Sequence, residues 1–399
     1  MFKRQLFSLK APISSAGASL LILASILTIG LALMPMQVRS QQPQFETGVI
    51  SSYNTTGFVK SAYPVINRLK NGGLICVYSG ITDAKSMKMN IAFSTSDDNG
   101  LTWSKAEILF NHPNSDEYDP NLIVDGDRIL AFSTTVNRPV NIDSTDIYMR
   151  SSQDGRTWAN EVHVKKPYHY ISGKIHQGHR LKDGTLIMGY CWDAWAEKGM
   201  PPKTEGEMDN RSGVLRSNDG GMTWSAGTDI YAGEVKKKTE PGAAEGLAEP
   251  ATVVLADGRI MAILRSGSDE LYKTWSSDGG LSWETPRLSG LTAHNSPAAL
   301  WKLDNSADVI VAWCNSPIGR NPLAVALSPD GGKTWSHPKT VVKTGGSGGR
   351  KGGQQASYPS VVQAKDGTFI VLWQQDTDQG REVRFARFNR AWLLNHDKQ

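Results

Sequence analysis

Five segments of the chain carry one pattern, Ser-x-Asp-x-Gly-x-x-Trp, in full or worn form: SDDNGLTWS (96–104), SSQDGRTWA (151–159), SNDGGMTWS (217–225), SSDGGLSWE (276–284) and SPDGGKTWS (328–336). A segment repeated along a chain marks a fold built from copies of one unit, and this constrains the architecture more than any other feature. The residue types explain themselves locally. The Asp can accept hydrogen bonds from backbone N–H groups of its own turn, and the Gly tolerates positive φ. The Trp brings a large apolar area that can pin the turn to a sheet. The boxes are therefore read as fasteners on the outer turn between the third and fourth strands of each unit, with no chemistry of their own.

Between the boxes lies a second repeat: an x-Pro step, a short apolar alternation, a turn, and an apolar run. Its copies are YPVINRLKNGGLICVYS (63–79), DPNLIVDGDRILAFS (119–133), QGHRLKDGTLIMGYC (177–191, without the Pro), EPATVVLADGRIMAILR (249–265), SPAALWKLDNSADVIVAWC (296–314) and YPSVVQAKDGTFIVLWQ (358–374). Asn-Gly or Asp-Gly between two apolar runs predicts a hairpin, with the positive φ of a type I′ turn. The fifth copy, with DNSAD, needs a longer turn. Each hairpin plus the two strands around the following box makes a four-stranded unit. The expected fold is all-β: a six-bladed β-propeller with four-stranded antiparallel blades over residues 46–393. The last unit has no Trp box, and FETGVISSY (45–53) is expected to supply its outer strand and close the ring, which removes a sheet edge.

Residues 1–40 stand apart. Lys3, Arg4 and Lys10 precede an apolar run from Ala18 to Met36, followed by Val38-Arg39-Ser40. This reads as a secretory signal peptide with cleavage near Ser40, and its length also meets that of an uncleaved anchor. The expected location is secreted or periplasmic, with membrane contact only through that anchor. The formal charge of +4 falls to zero without the four basic residues of this leader, so the charge gives no argument for nucleic acid. Cys76, Cys191 and Cys314 sit in or at the end of apolar runs; their odd number and wide spacing argue against a disulfide framework or a zinc site. No metal and no other cofactor are expected.

Five boxes on six units resemble the sialidase superfamily, whose Asp boxes have this pattern and whose fold is a six-bladed propeller. The resemblance covers about residues 46–393. It implies chemistry at the starts of the inner hairpins, which line the axial mouth: Ala62-Tyr63, Tyr118-Asp119, His176-Gln177, Ala248-Glu249, Asn295-Ser296 and Ser357-Tyr358. Sialidases are retaining glycosidases that use a Tyr nucleophile. Sialic acid carries a carboxylate on its anomeric carbon, which would repel an anionic nucleophile. A neutral phenol avoids that repulsion if a nearby Glu takes its proton. Arginines grip the substrate carboxylate by bidentate pairing.

Carried over residue by residue, the resemblance implies Tyr358 in SYPSVV as nucleophile and Glu249 as its base. It implies Arg265 in AILRSG as a carboxylate-binding arginine, and Asp83 in SGITDAKSMK as the acid. Asp119 is a second candidate acid. The family's first arginine belongs to a Phe-Arg-Ile-Pro segment, and here SAYP puts Ala62 in its place. For a further arginine the candidates are Arg320 and Arg180. His176 and His179 in KIHQGHRLKDG, with Trp192, Asp193 and Trp195 in YCWDAW, could bind substrate or, for a histidine, act as a base. KTGGSGGRKGGQQ (343–355) is not a phosphate loop, since no Gly-Lys-Ser/Thr ending follows; it reads as a lid or a surface loop just before Tyr358.

Three functions follow. The first is an exported sialidase-like exo-glycosidase acting on terminal sialic acid or a related acidic sugar of a glycan. The second is a propeller lyase or hydrolase on another acidic polysaccharide, using His176 or His179 with a Tyr. The third is a non-catalytic carbohydrate-binding propeller. Tyr358, Glu249 and Arg265 favour the first; Ala62 favours the others. The expected partner is a glycan or oligosaccharide, with the protein a monomer.

Overall fold

The hairpins recognised in the sequence are present in the computed structural model, which describes residues 42–137, 144–173, 176–193, 210–232, 235, 246–345 and 354–395. The expected leader, residues 1–40, lies outside them. So do Trp195 and most of the Gly-rich segment before Tyr358. Gln41–Gln399 form one compact unit.

The fold is an all-β, propeller-like arrangement of antiparallel four-stranded sheets. One sheet runs Ser115–Asp125, Arg128–Asn137, Asp146–Ser152 and Val162–His163. The next is His179–Arg180, Leu186–Asp193, Asn210–Ser217 and Ser225–Ala226. Leu247–Val254, Ile260–Ser266, Glu270–Ser276 and Arg287–Thr292 make a third. Ala298–Lys302, Val309–Cys314, Leu323–Ser328 and Lys339–Val342 make a fourth.

The first and last parts of the chain share an eight-stranded sheet. Lys60–Arg68, Leu74–Ile81, Met89–Ser96 and Glu107–Phe110 pair in order at one end. Ala356–Gln363, Phe369–Thr377 and Gly380–Phe388 pair at the other, and Phe45–Ser51 lies antiparallel on Gly380–Phe388, as the closure expected from FETGVISSY requires. A single parallel pair, Lys60 with Arg381, joins the two ends.

The cores lie between neighbouring sheets. Val77, Ile91 and Phe110 pack against Leu122 and Ile129; Phe132 and Met149 pack against Met188 and Trp224. Val253 and Ile263 meet Leu300 and Trp313, and Val325 meets Val361 and Trp373. Cys76 and Tyr78 meet Ile370 and Leu372, which seals the end of the chain onto its beginning. Side chains on both faces of strands such as Leu74–Ile81 and Val309–Cys314 are thus out of water, so these strands read as near-continuous apolar runs.

Each Trp box sits between the last two strands of its sheet. Asp278 accepts hydrogen bonds from Ser276 Oγ (2.8 Å), Leu281 N (3.0 Å), Ser282 N (2.9 Å) and Ser282 Oγ (2.5 Å), while Ser276 Oγ accepts from Gly280 N at 2.8 Å. Asp98 repeats this set with Ser96, Leu101 and Thr102, and Asp330 keeps most of it with Ser328 and Thr334. These bonds outweigh what burial costs the charged form and hold the Asp carboxyls below the usual range. Trp103, Trp158, Trp224, Trp283 and Trp335 each pack on one of the cores.

The hairpin turns differ from the type I′ form expected. At Asn71-Gly72 only the glycine is left-handed, at φ 97°. Gly72 N bonds Leu69 O at 2.9 Å and Leu69 N bonds Gly73 O at 2.8 Å, which is a type I turn followed by a glycine bulge. The turns at Gly184, Gly258 and Gly367 are built the same way. The Asn or Asp stays in the right-handed region, where its carbonyl or carboxylate caps the turn, so one left-handed residue suffices.

Candidate active site

The x-Pro steps of the inner hairpins have a common backbone. Tyr63, Asp119, Glu249 and Tyr358 each precede a proline, and their φ values are 55°, 45°, 47° and 53°. Asn295, one residue further from its proline, has φ 43°. Left-handed backbone in a non-glycine residue costs on the order of 1–3 kcal/mol and gathers at functional sites. The register slips at each step: between Ala62 and Val65, Tyr118 and Asn121, Ala248 and Ala251, and Ser357 and Ser360. A bulge of this kind re-aims one side chain. Tyr63, Asp119, Glu249 and Tyr358 are half-buried, while the residues around them are mostly buried.

Three of these positions meet in one hydrogen-bonded group. The Tyr358 hydroxyl donates to Glu249 Oε1 at 3.2 Å. Arg265 Nη1 donates to Glu249 Oε2 at 2.8 Å and reaches the Tyr358 oxygen at 3.4 Å. Arg265 Nε donates to Asn295 Oδ1 at 2.7 Å. Arg320 Nη2 donates to the Asn295 carbonyl at 2.7 Å, and its guanidinium lies 5.1 Å from the centre of the Tyr358 ring. Tyr63 stands edge-on to Tyr358, with ring centres 4.8 Å apart and planes at 84°. Gln374 ties their segments together: its Oε1 accepts from Tyr63 N and its Nε2 donates to Ser357 Oγ, both at 3.2 Å.

The electrostatics separate the acid from the phenol. Burial alone would raise the Glu249 carboxyl, but Arg265, helped by Arg320, outweighs it, and Glu249 lies below the usual carboxylate range. Burial and the Glu249 charge push the Tyr358 phenol up, with Arg320 and Arg265 opposing. At neutral pH the site therefore holds a neutral phenol hydrogen-bonded to an ionised carboxylate. Asp119 adds negative charge felt by both phenols, and its Oδ2 accepts from Gly173 N at 2.8 Å.

The other expected residues lie as follows. The Asp83 carboxylate is exposed and accepts from Lys85 N (3.0 Å) and Ser86 N (3.1 Å) of its own loop, which lowers its pKa. Arg180 pairs with Asp125 at 2.6 Å and is not joined to the Tyr358 group. His179 is half-buried and its Nε2 bonds the Thr252 carbonyl at 2.8 Å. His176 is 3% exposed, neither ring nitrogen has a hydrogen-bond partner among the described residues, and burial pushes its pKa down to about 4, against an opposing pull from Glu249. Trp192 stacks on Tyr168 at 4.4 Å and donates to Asp229 at 3.0 Å. Asp193 ends the same strand. Gln177 Nε2 donates to the Val361 carbonyl at 2.8 Å and ties the segment before His179 to the strand Ala356–Gln363.

Sequence reasoning placed Tyr63 and Asn295 at the mouth without giving them a role, and passed over Gln374 and Arg381. Tyr63 and Asn295 carried a signal, since they occupy the hairpin starts that hold Glu249 and Tyr358. Gln374 and Arg381 carried none, because they belong to the second and third strands of the last unit.

The BNR repeat-like domain profile matches residues 72–371 of the 399. The chain belongs to the BNR repeat-like family. A curated relative of this BNR repeat-like chain, the sialidase of Micromonospora viridifaciens, is 27% identical over 196 residues. That alignment takes in 44% of this chain and 25% of the relative's length. Among solved structures, a protein of unknown function from Dyadobacter fermentans is similar with a TM-score of 0.66 and 18% identity, covering 86% of this chain and 98% of that one. A Hadza microbial sialidase is similar with a TM-score of 0.68 and 16% identity, covering 86% of this chain and 67% of the other. Profile, relative and neighbours together place the chain in the sialidase/BNR propeller superfamily.

Proposed function

We propose that this protein is an exported, sialidase-like exo-glycosidase that removes terminal sialic acid or a related acidic sugar from glycans with retention of configuration. One observation carries the reading: the Tyr358 hydroxyl on Glu249 Oε1 at 3.2 Å, with Arg265 bridging both. The phenol oxygen attacks the anomeric carbon as Glu249 takes its proton. A carboxylic acid protonates the leaving oxygen, then as carboxylate activates the water that releases the sugar, and Glu249 returns the proton to Tyr358. Asp119 is taken as that acid, since its charge acts on both phenols, whereas Asp83 is held by its own loop. Arg265 and Arg320 meet the substrate's negative charge.

The eight-stranded sheet is read as two blades joined by the Lys60–Arg381 bridge, which brings the blades to six. Residues 1–40 are read as the export signal. The lyase reading gains least from the geometry: His179 spends its Nε2 on a carbonyl and His176 is buried.

The test is to incubate residues 41–399 and their Tyr358→Phe variant with a fluorogenic sialoside and with uronate and neutral glycosides. Sialoside release that Phe abolishes is the expected result. An unsaturated product absorbing in the ultraviolet would replace the reading with a lyase. Sugar binding without turnover of any substrate would replace it with a binding propeller.

A further inference from the structure

We propose that Arg381 is a specificity-determining residue of this site, meeting an anionic group of the ligand beside Tyr63 and Tyr358 from the third strand of the last sheet unit. The proposal rests on the acidic-sugar reading above and adds the residue that enforces it.

The residue before Tyr63 brings no cation to the mouth: Ala62 is a buried methyl group. The neighbouring strand does. Gly380–Phe388 runs beside Lys60–Arg68, touching it through the parallel pair Lys60 with Arg381. Arg381 is also the cross-strand partner of Asp376. Residues two apart on a strand share a face, and so do direct cross-strand partners. Gln374, Asp376 and Arg381 therefore lie on one face. Gln374 shows where that face looks, because it bonds Tyr63 N and Ser357 Oγ. The Arg381 charge accordingly acts on both phenols.

The guanidinium is oriented but unspent. Arg381 Nε donates to Asp376 Oδ1 at 2.6 Å. Its two terminal amino groups have no hydrogen-bond partner among the described residues, although the side chain is only 28% exposed. Donors held partly out of water cost free energy until something polar meets them. The other arginines are more committed. Arg265 spends Nη1 on Glu249 and Nε on Asn295, and Arg320 spends Nη2 on the Asn295 carbonyl. A planar fork fixed at one edge by a carboxylate and open at the other suits a second two-oxygen anion.

The test is calorimetric titration of residues 41–399 with sialic acid and with its methyl ester, which keeps the shape and removes the charge. The wild type is expected to prefer the acid by at least about tenfold. Arg381→Gln should lose most of that preference by weakening acid binding while leaving the ester unchanged, and Arg381→Lys should keep part of it. In turnover the loss should fall on KM more than on kcat. Asp376→Asn, which leaves the guanidinium in place but unoriented, should weaken the preference too, and it carries the test if Arg381→Gln does not fold. An Arg381→Gln or Asp376→Asn protein with the wild-type ratio overturns the assignment while leaving the sialoside reading intact. A wild type that binds neither compound overturns that reading and this inference with it.

Discussion

Tyr358 and Glu249, separated by 109 positions in the chain, meet at 3.2 Å between hydroxyl and carboxylate oxygen. Both reach that contact from left-handed backbone before a proline, and Arg265 braces both. Tyr358→Phe keeps the ring, its contact with Tyr63 and the cation above it, and removes only the hydroxyl oxygen proposed to react. It should lower kcat by at least ~10³-fold with the melting temperature within a degree or two of wild type. A variant retaining a tenth of the activity would remove Tyr358 from the nucleophile's role.

The pH dependence follows from Glu249. Its pKa in the folded state lies below the usual 4.5, because Arg265 outweighs burial. The acid limb of kcat/KM should therefore fall below pH 4.5. For stability the sign is that of a depressed carboxylate. The contribution is present above the unfolded pKa and is lost as pH falls through the folded one. Arg265→Gln removes the counter-charge and leaves burial, so the acid limb should move upward. A limb that stays in place in that variant would assign it to another group.

Asp119 and Asp83 make opposite predictions as acids. Loss of a general acid slows substrates with poor leaving groups most, by ~10²- to 10⁴-fold, and activated aryl glycosides least. Asp119→Asn should show this split, and Asp83→Asn should not. The reverse outcome would mean that the 82–88 loop, with Asp83 bonded to Lys85 and Ser86 here, turns inward on substrate binding.

His176 is buried as a neutral imidazole, with a folded pKa near 4 against 6.5 unfolded, chiefly through burial. Between those values the unfolded chain binds the extra proton, so stability falls as pH drops from 6.5 toward 4. The effect is on the order of 3 kcal/mol at most. His176→Leu should flatten the melting temperature across that range. An unchanged slope would place the titrating group elsewhere.

Asp278 tests the boxes. Asp278→Ala removes four hydrogen-bond acceptances within one turn and leaves N–H groups of Leu281 and Ser282 unpaired. The turn is near solvent, so the cost should be about 1–2 kcal/mol, read as a drop of a few degrees in melting temperature with kcat/KM unchanged. A loss of activity at full stability would give the box a part in catalysis.

The repeat was legible because its bonds are local. In a box, the Ser and Asp oxygens accept from turn N–H groups four residues away or fewer, so sequence spacing alone specifies the contact. The turn at Asn71-Gly72 was legible as a turn but not in type, since the left-handed φ of Gly72 fits either form. Glu249, Arg265 and Tyr358 were reached through a resemblance and through their places at hairpin ends. Arg180, at a similar hairpin place, pairs with Asp125 instead.

Sequence alone determined that this chain repeats a four-stranded unit, where its outer turns fall, and which residues stand before the prolines of its inner hairpins. These are properties of segments a few residues long, written in turn chemistry and in apolar alternation. Only the tertiary structure decided which of those residues meet. The Tyr358 group joins strands from different sheets, and its geometry depends on bulges and left-handed backbone that no local pattern encodes. Arg381 shows the limit most clearly. It lies in a third strand, with nothing in its neighbours to distinguish it, and its charge acts on Tyr63 only because the end of the chain closes onto the beginning.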